Sequence, residues 1–170
     1  MKNEPRVLAI DDDELLLGFL KSALTEFGVE VVISQSAKEG IRIYQESQFD
    51  LIFVDYMMPE MNGVEVLRQI MASDPNAFCI MMTGNASIES AVEAMKLGAV
   101  DYLTKPLDLD HLEIVLKKTL QHKSQTEKLR LLEAQVTQLG SYEGLIGVTP
   151  LLWTMLDFLR NASAPSIFHS

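Results

Sequence analysis

Residues 6–28 decide the fold: the run RVLAI over 6–10, three acids Asp11-Asp12-Asp13, the stretch ELLLGFLKSALTEF over 14–27, and Gly28. The first run is aliphatic without polar alternation, as expected of a strand buried on both faces. In the second, Leu16, Phe19, Leu20, Ala23, Leu24 and Phe27 recur at spacings of three and four, which predicts an amphipathic helix, and Gly28 supplies its stop. One strand, an acidic turn and one helix form a β-α unit.

The same alternation continues outward. Apolar runs at 30–34, 51–54, 78–82 and 100–103 predict four more strands. Between them, 38–47 presents Ile41 and Tyr44, 63–72 presents Val64, Leu67 and Met71, and 87–97 presents Ala91, Ala94 and Met95 before Gly98. A further helix begins at Leu109. Five strands alternating with five helices read as an α/β fold, a doubly wound five-stranded parallel sheet. The flavodoxin-like strand order 2-1-3-4-5 is the common solution, here with a C-terminal helical extension.

Composition narrows the function. The 170 residues carry 14 Lys+Arg against 24 Asp+Glu, a net charge of −10, which argues against duplex DNA as a partner of this stretch. The charge is uneven: 1–123 hold 11 basic and 20 acidic residues, 124–170 only 3 and 4. The single cysteine excludes an internal disulfide, and Cys79, within an apolar run, reads as a reduced core residue. No apolar stretch approaches the roughly 20 residues of a membrane span, so no membrane contact and a cytoplasmic location are expected.

The polar residues of interest fall at the carboxyl ends of the predicted strands: Asp11 and Asp12 after the first, Asp55 after the third, Thr83 after the fourth, Lys105 shortly after the fifth. Ligands of open parallel sheets bind at that edge, where the strand order reverses. Asp13 is more simply a helix N-terminal acid. Three converging carboxylates require a compensating cation. An oxygen-only donor set points to a hard divalent ion, Mg2+. Mg2+, a carboxylate nucleophile (Asp55), a hydroxyl (Thr83) and an ammonium (Lys105) together suit phosphoryl transfer.

These stretches resemble the receiver domain of bacterial two-component response regulators across residues 5–123. The resemblance is carried by Val7-Leu8-Ala9-Ile10-Asp11-Asp12-Asp13, Asp55-Tyr56-Met57-Met58-Pro59-Glu60-Met61-Asn62-Gly63, Met82-Thr83-Gly84 and Tyr102-Leu103-Thr104-Lys105-Pro106. It implies that Asp55 takes phosphate from a sensor histidine kinase or a histidine phosphotransfer protein. It further implies that Asp12, Asp55 and the Met57 backbone carbonyl bind Mg2+ directly, with Asp11 acting mainly through water. Thr83 and Tyr102 form the switch pair, Lys105 pairs with the phosphoryl group, and the Lys105-Pro106 bond is cis. Met57 and Asn85 stand at the positions that tune phosphate lifetime, and an apolar Met57 implies slow to moderate autodephosphorylation. A flavodoxin-type carrier is excluded because Asp11-Asp12-Asp13 would repel an FMN phosphate. A haloacid-dehalogenase-type phosphatase wants an acid where Met57 stands. The expectation is a signalling acceptor and not an enzyme.

Beyond the receiver region (1–123), the helix continues: no Gly or Pro interrupts the chain between Leu107 and Leu139, and Leu129, Leu132, Val136 and Leu139 fit a and d positions of a heptad. Lys128 then falls at g and Glu133 at e, so a linker helix over 124–141 is expected to hold a homodimer. Residues 142–170 resemble the start of the AAA+ module of sigma-54-dependent transcription activators, through Tyr142-Glu143-Gly144-Leu145-Ile146-Gly147 and Val148-Thr149-Pro150. No G-x-x-x-x-G-K-[ST] motif follows, so a longer regulator cut short or a naturally short form is expected. The alternative is a stand-alone receiver that signals by docking to a partner protein.

Overall fold

The computed structural model describes residues 4–84 and 88–140. In chain order they form β1 (Arg6–Ile10), α1 (Glu14–Glu26), β2 (Glu30–Ser34), α2 (Ala37–Glu46), β3 (Leu51–Asp55), α3 (Gly63–Ser73), β4 (Cys79–Thr83), α4 (Ile88–Leu97), β5 (Asp101–Thr104) and α5 (Leu109–Gly140). The strands make one parallel sheet in the order β2-β1-β3-β4-β5. The expected doubly wound architecture is therefore the observed one. Asn85, Ser87, Ser141 and the whole of 142–170 lie outside the described residues.

Side-chain alternation along the strands builds two cores. Val7, Ala9, Leu51, Phe53, Ile80, Met82 and Leu103 face α1 and α5, whose Leu17, Leu20, Leu24, Leu112, Val115 and Leu116 close that side. Leu8, Ile10, Ile52, Val54, Cys79 and Met81 face α2, α3 and α4, met by Ile41, Val66, Leu67, Ile70 and Ala94. Both faces of every central strand are thus dry, which is why these strands read as continuous apolar runs.

Helix ends follow their local chemistry. Asp13 caps α1, its Oδ1 accepting from the Leu15 and Leu16 N–H groups at 2.9 and 3.1 Å, as the sequence suggested. Ser36 and Asn62 cap α2 and α3. Gly28 and Gly98 adopt φ of 79° and 109°, backbone that side chains with a Cβ resist. Lys105-Pro106 is cis.

The strand ends differ slightly from the sequence reading. Asp55 and Thr83 do not follow β3 and β4; they are their last residues, because register pairs Asp55 with Met82 and Thr83 with Thr104. Backbone pairing in a parallel ladder is indifferent to side-chain polarity. The chain divides into two units, 1–126 and 127–170. In the first, α5 is fastened by Lys123 Nζ on Asp50 Oδ1 at 2.5 Å, while Asp50 Oδ2 accepts from the Arg6 N–H at 2.7 Å. In the second, Leu129, Leu131 and Leu132 are 52, 66 and 48% exposed. No described helix is long and apolar enough to cross a membrane.

Candidate functional site

Register assembles the site. Ile10 pairs with Val54 on adjacent strands, so the next residues, Asp11 and Asp55, stand side by side at the carboxyl edge of the sheet. Both continue the alternation that faces α1 and α5, and Lys105, two residues beyond Leu103, shares that parity. Thr83 and Tyr102 have the opposite parity: Thr83 follows Met81 by two, and Tyr102 packs against the core under α2, α3 and α4. The two sides of the sheet edge therefore separate the charged cluster from the Thr83–Tyr102 pair.

Within the cluster, Lys105 Nζ lies 2.7 Å from Asp11 Oδ2 and 2.8 Å from Asp55 Oδ1. The other Asp11 oxygen, Oδ1, accepts from the Asp13 N–H at 2.9 Å. Asp11 is fully buried and Asp55 nearly so, whereas Asp12 is exposed. Carboxylate oxygens of Asp11, Asp12 and Asp55 all lie within 4.8 Å of one another. One ammonium cannot neutralise three carboxylates. The residual negative charge, the oxygen-only donors and the solvent access at Asp12 fit a hard divalent cation.

Electrostatics follow from this crowding. Burial pushes the Asp55 carboxyl up from its ordinary value; the Lys105 hydrogen bond opposes that, and the Asp11 and Asp12 charges add to it. Burial works against the Lys105 ammonium, but its hydrogen bonds to Asp11 and Asp55 outweigh this and raise its pKa. Lys105 is thus held charged between two acids.

The backbone around Asp55 is equally constrained. The Tyr56 N–H donates to the Met82 carbonyl at 2.7 Å, and the Gly63 N–H donates to the Tyr56 carbonyl at 2.9 Å. A Cβ on Gly63 would collide with the Asp55 carbonyl oxygen and meet the Asp55 C and Tyr56 Cα at 2.9 Å. Only glycine lets α3 begin against the end of β3. The Lys105 N–H donates to the Thr83 carbonyl at 2.8 Å, joining the β4 and β5 ends. Thr83 is buried, Tyr102 half-buried, and Met57 71% exposed.

Sequence reasoning placed Asp11, Asp12, Asp55 and Lys105 at this edge, where the structure brings them together, but missed two ties. Glu60 Oε2 accepts from the Ser36 hydroxyl at 2.9 Å across 24 residues, and Lys123 reaches Asp50 across 73. Neither partner carries a local signal of the other.

Comparison with known proteins agrees with this geometry. The family described as the response regulator receiver domain matches residues 7–117. The transcriptional regulatory protein ZraR of Escherichia coli K12 is 36% identical over 151 residues, 89% of this chain and 33% of that protein. The alginate biosynthesis transcriptional regulatory protein AlgB of Pseudomonas aeruginosa is 32% identical over 163 residues, 96% of this chain and 36% of that protein. This chain spans about a third of the length of these curated relatives. Among solved structures, a CheY-like receiver domain protein from Methanospirillum hungatei superposes with a TM-score of 0.70 at 32% identity, covering 73% of this chain and 99% of that one. The beryllofluoride-activated DrrB receiver domain gives 0.63 at 26% identity, covering 69% and 98%.

Proposed function

Because this chain belongs to the response regulator receiver domain family, we propose that Asp55 accepts a phosphoryl group from a phosphohistidine on a sensor histidine kinase or histidine phosphotransfer protein. The observation that carries this reading is the Lys105 bridge between two buried carboxylates with Asp12 exposed beside them. An Asp55 oxygen attacks phosphorus, the phosphorus–imidazole nitrogen bond breaks, and the histidine leaves as the acyl phosphate forms. Bound Mg2+, held by Asp12, Asp55 and the Met57 carbonyl with Asp11 acting through water, would offset charge on the transferring oxygens.

The chain's own groups do the rest. Lys105 exchanges its Asp55 contact for a phosphoryl oxygen while keeping Asp11. The Thr83 hydroxyl donates to another oxygen, and Tyr102, on the same side of the sheet, occupies the space Thr83 leaves. Phosphorylation then biases an equilibrium between two packings. Asp55 is consumed once per signal, so the chain acts as an acceptor and not as a turnover catalyst. The exposed Met57 side chain offers no group to orient an attacking water, which supports a slow to moderate loss of phosphate.

For output, a match over 89% of this chain extends past residue 123 on any placement. Together with the resemblance of 142–150 to sigma-54-dependent activators, this supports a transcription regulator built from a receiver (1–123), a linker helix (124–141) and the start of an AAA+ module (142–170). The half-exposed Leu129 and Leu132, flanked by Lys128 and Glu133, support homodimerisation through the linker. The net charge of −10 supports protein partners over DNA or an anionic membrane surface for this stretch, and a cytoplasmic location follows from the proposed exchange with a sensor kinase.

The test is sedimentation with Mg2+, with and without beryllofluoride, beside Asp55→Ala. A mass change that needs Asp55 and disappears in a Leu129→Glu/Leu132→Glu variant is the expected result. A mimic that binds without changing mass would move the output to docking of a partner protein. Failure of Asp55 to take up an alkali-labile phosphoryl group from a small acyl phosphate would overturn the acceptor reading itself.

A further inference from the structure

We propose that Glu60 is a positioning residue for the cation site, strapping the loop between β3 and α3 to the N-terminus of α2 through Ser36. The inference rests on the acceptor reading above, because that loop carries the Met57 carbonyl assigned to Mg2+.

A chain of hydrogen bonds supports it. The Asp11 N–H donates to the Ser34 carbonyl at 3.1 Å. The buried Ser34 hydroxyl donates to the Ser36 carbonyl at 2.9 Å and accepts from the Ser36 N–H at 3.4 Å. The Ser36 hydroxyl donates to Glu60 Oε2 at 2.9 Å while accepting from the Glu39 N–H at 3.4 Å. From Glu60 the loop leads back to Asp55, which Lys105 joins to Asp11. Glu60 therefore closes a ring around the acidic cluster. Without it, the loop between Tyr56 and Asn62 loses its hydrogen-bonded tie to α2 and keeps the buried Met58 side chain in the core, the anchor to β4 through Tyr56 and the α3 cap.

The position of Glu60 is chemically favourable. Ser36 is the N-cap of α2, so the Glu60 charge lies at the positive end of that helix. A hydroxyl that donates to a carboxylate makes a charge-assisted bond, stronger than a neutral one. Octahedral Mg2+ tolerates little displacement of its donors, so a loosened carbonyl costs affinity before it costs acceptor chemistry.

Calorimetric titration of Mg2+ into the full chain tests this with Glu60→Ala, Glu60→Gln and Ser36→Ala. Gln still accepts from Ser36 but carries no charge. The expected result is Mg2+ binding roughly three- to tenfold weaker in Glu60→Ala, with Glu60→Gln, which keeps the bond but loses the charge, between that and wild type. Combining Glu60→Ala with Ser36→Ala should weaken binding no further than Glu60→Ala alone. Phosphoryl uptake from a small acyl phosphate should reach the wild-type rate once Mg2+ is saturating. Wild-type Mg2+ affinity in Glu60→Ala, or equal weakening in Glu60→Gln, would overturn the strap while leaving the acceptor reading intact. Absence of Mg2+ binding in the wild type would overturn both.

Discussion

Replacing Lys105 by Met asks whether one ammonium is what allows three carboxylates to share a corner of the sheet. Met keeps an unbranched apolar stem, in a side chain one atom shorter than that of Lys, and deletes the charge. The native Nζ lies 2.7 Å from Asp11 and 2.8 Å from Asp55, with side-chain exposures of 22% for Lys105 and 1 and 6% for the acids. Removing one partner of a buried ion pair generally costs about 3–5 kcal/mol. Two features soften that here: water reaches the cluster at the exposed Asp12, and burial already makes Asp55 readier to hold a proton. The expected loss is therefore about 2–3 kcal/mol without divalent cation, or a melting point roughly 6–12 °C lower for a unit of this size.

The decisive part is the sign of the Mg2+ response. On the proposed reading the ammonium and Mg2+ both draw on the oxygens of Asp11 and Asp55, so each weakens the other. Deleting the ammonium should tighten Mg2+ binding, and a tenfold gain in affinity adds about 1.4 kcal/mol of stabilisation at saturating Mg2+. Urea unfolding in EDTA and in millimolar Mg2+, for wild type and Lys105→Met, measures both quantities. The variant should be less stable in EDTA and gain more from Mg2+. Equal Mg2+ increments in the two proteins, or a variant as stable as wild type in EDTA, would refute the shared-oxygen argument.

Three other expectations rest on different parts of the molecule. Gly63→Ala should lose about 1–3 kcal/mol to the clash with Asp55 backbone, whereas Gly18→Ala, with nothing within 4 Å of its new Cβ on an exposed face of α1, should gain roughly 0.5–1 kcal/mol; thermal melts of the pair should move in opposite directions. For Asp50, burial opposes the charged form, but Lys123, the Arg6 N–H and both neighbouring charges outweigh it and lower its pKa. Its contribution to stability is therefore present above the unfolded carboxylate value of about 3.9 and lost as pH falls through the folded one, so Asp50→Asn should flatten the acid limb of urea midpoints measured below pH 5. Burial, with the Asp74 charge nearby, pushes the Cys79 thiol well above its ordinary range, so alkylation of Cys79 should be negligible in native protein and rapid in denaturant; comparable rates in both would contradict its burial.

Much of the fold was legible because burial on both faces writes itself as apolar composition. Residues 6–10 and 30–34 were bounded to the residue, since their strands end where polarity and geometry agree. The errors cluster at β3, β4 and β5, each of which runs one residue further than its apolar stretch. That extra residue is Asp55, Thr83 or Thr104. A reading based on hydrophobicity assigns such residues to loops, while the parallel ladder holds them by backbone pairing alone.

This difference is functional and not merely a matter of bookkeeping. A carboxylate on a loop is placed by whatever the loop settles into, whereas one on the last rung of a ladder is placed by its neighbours. Ile10 opposite Val54 fixes Asp11 beside Asp55 through backbone pairing, and Lys105, 94 residues from Asp11, needs only to follow β5 to arrive between them. What the sequence could not disclose are the pairings that depend on loop trajectory, such as Glu60 with Ser36 and Lys123 with Asp50. Those are also the contacts most easily changed without disturbing the sheet. The rigid ladder sets which groups meet; on the proposed reading the Glu60–Ser36 tie sets how tightly the site holds Mg2+, so substitutions at Glu60 should alter Mg2+ affinity at nearly constant stability, while substitutions at Gly63 or Lys105 should alter both.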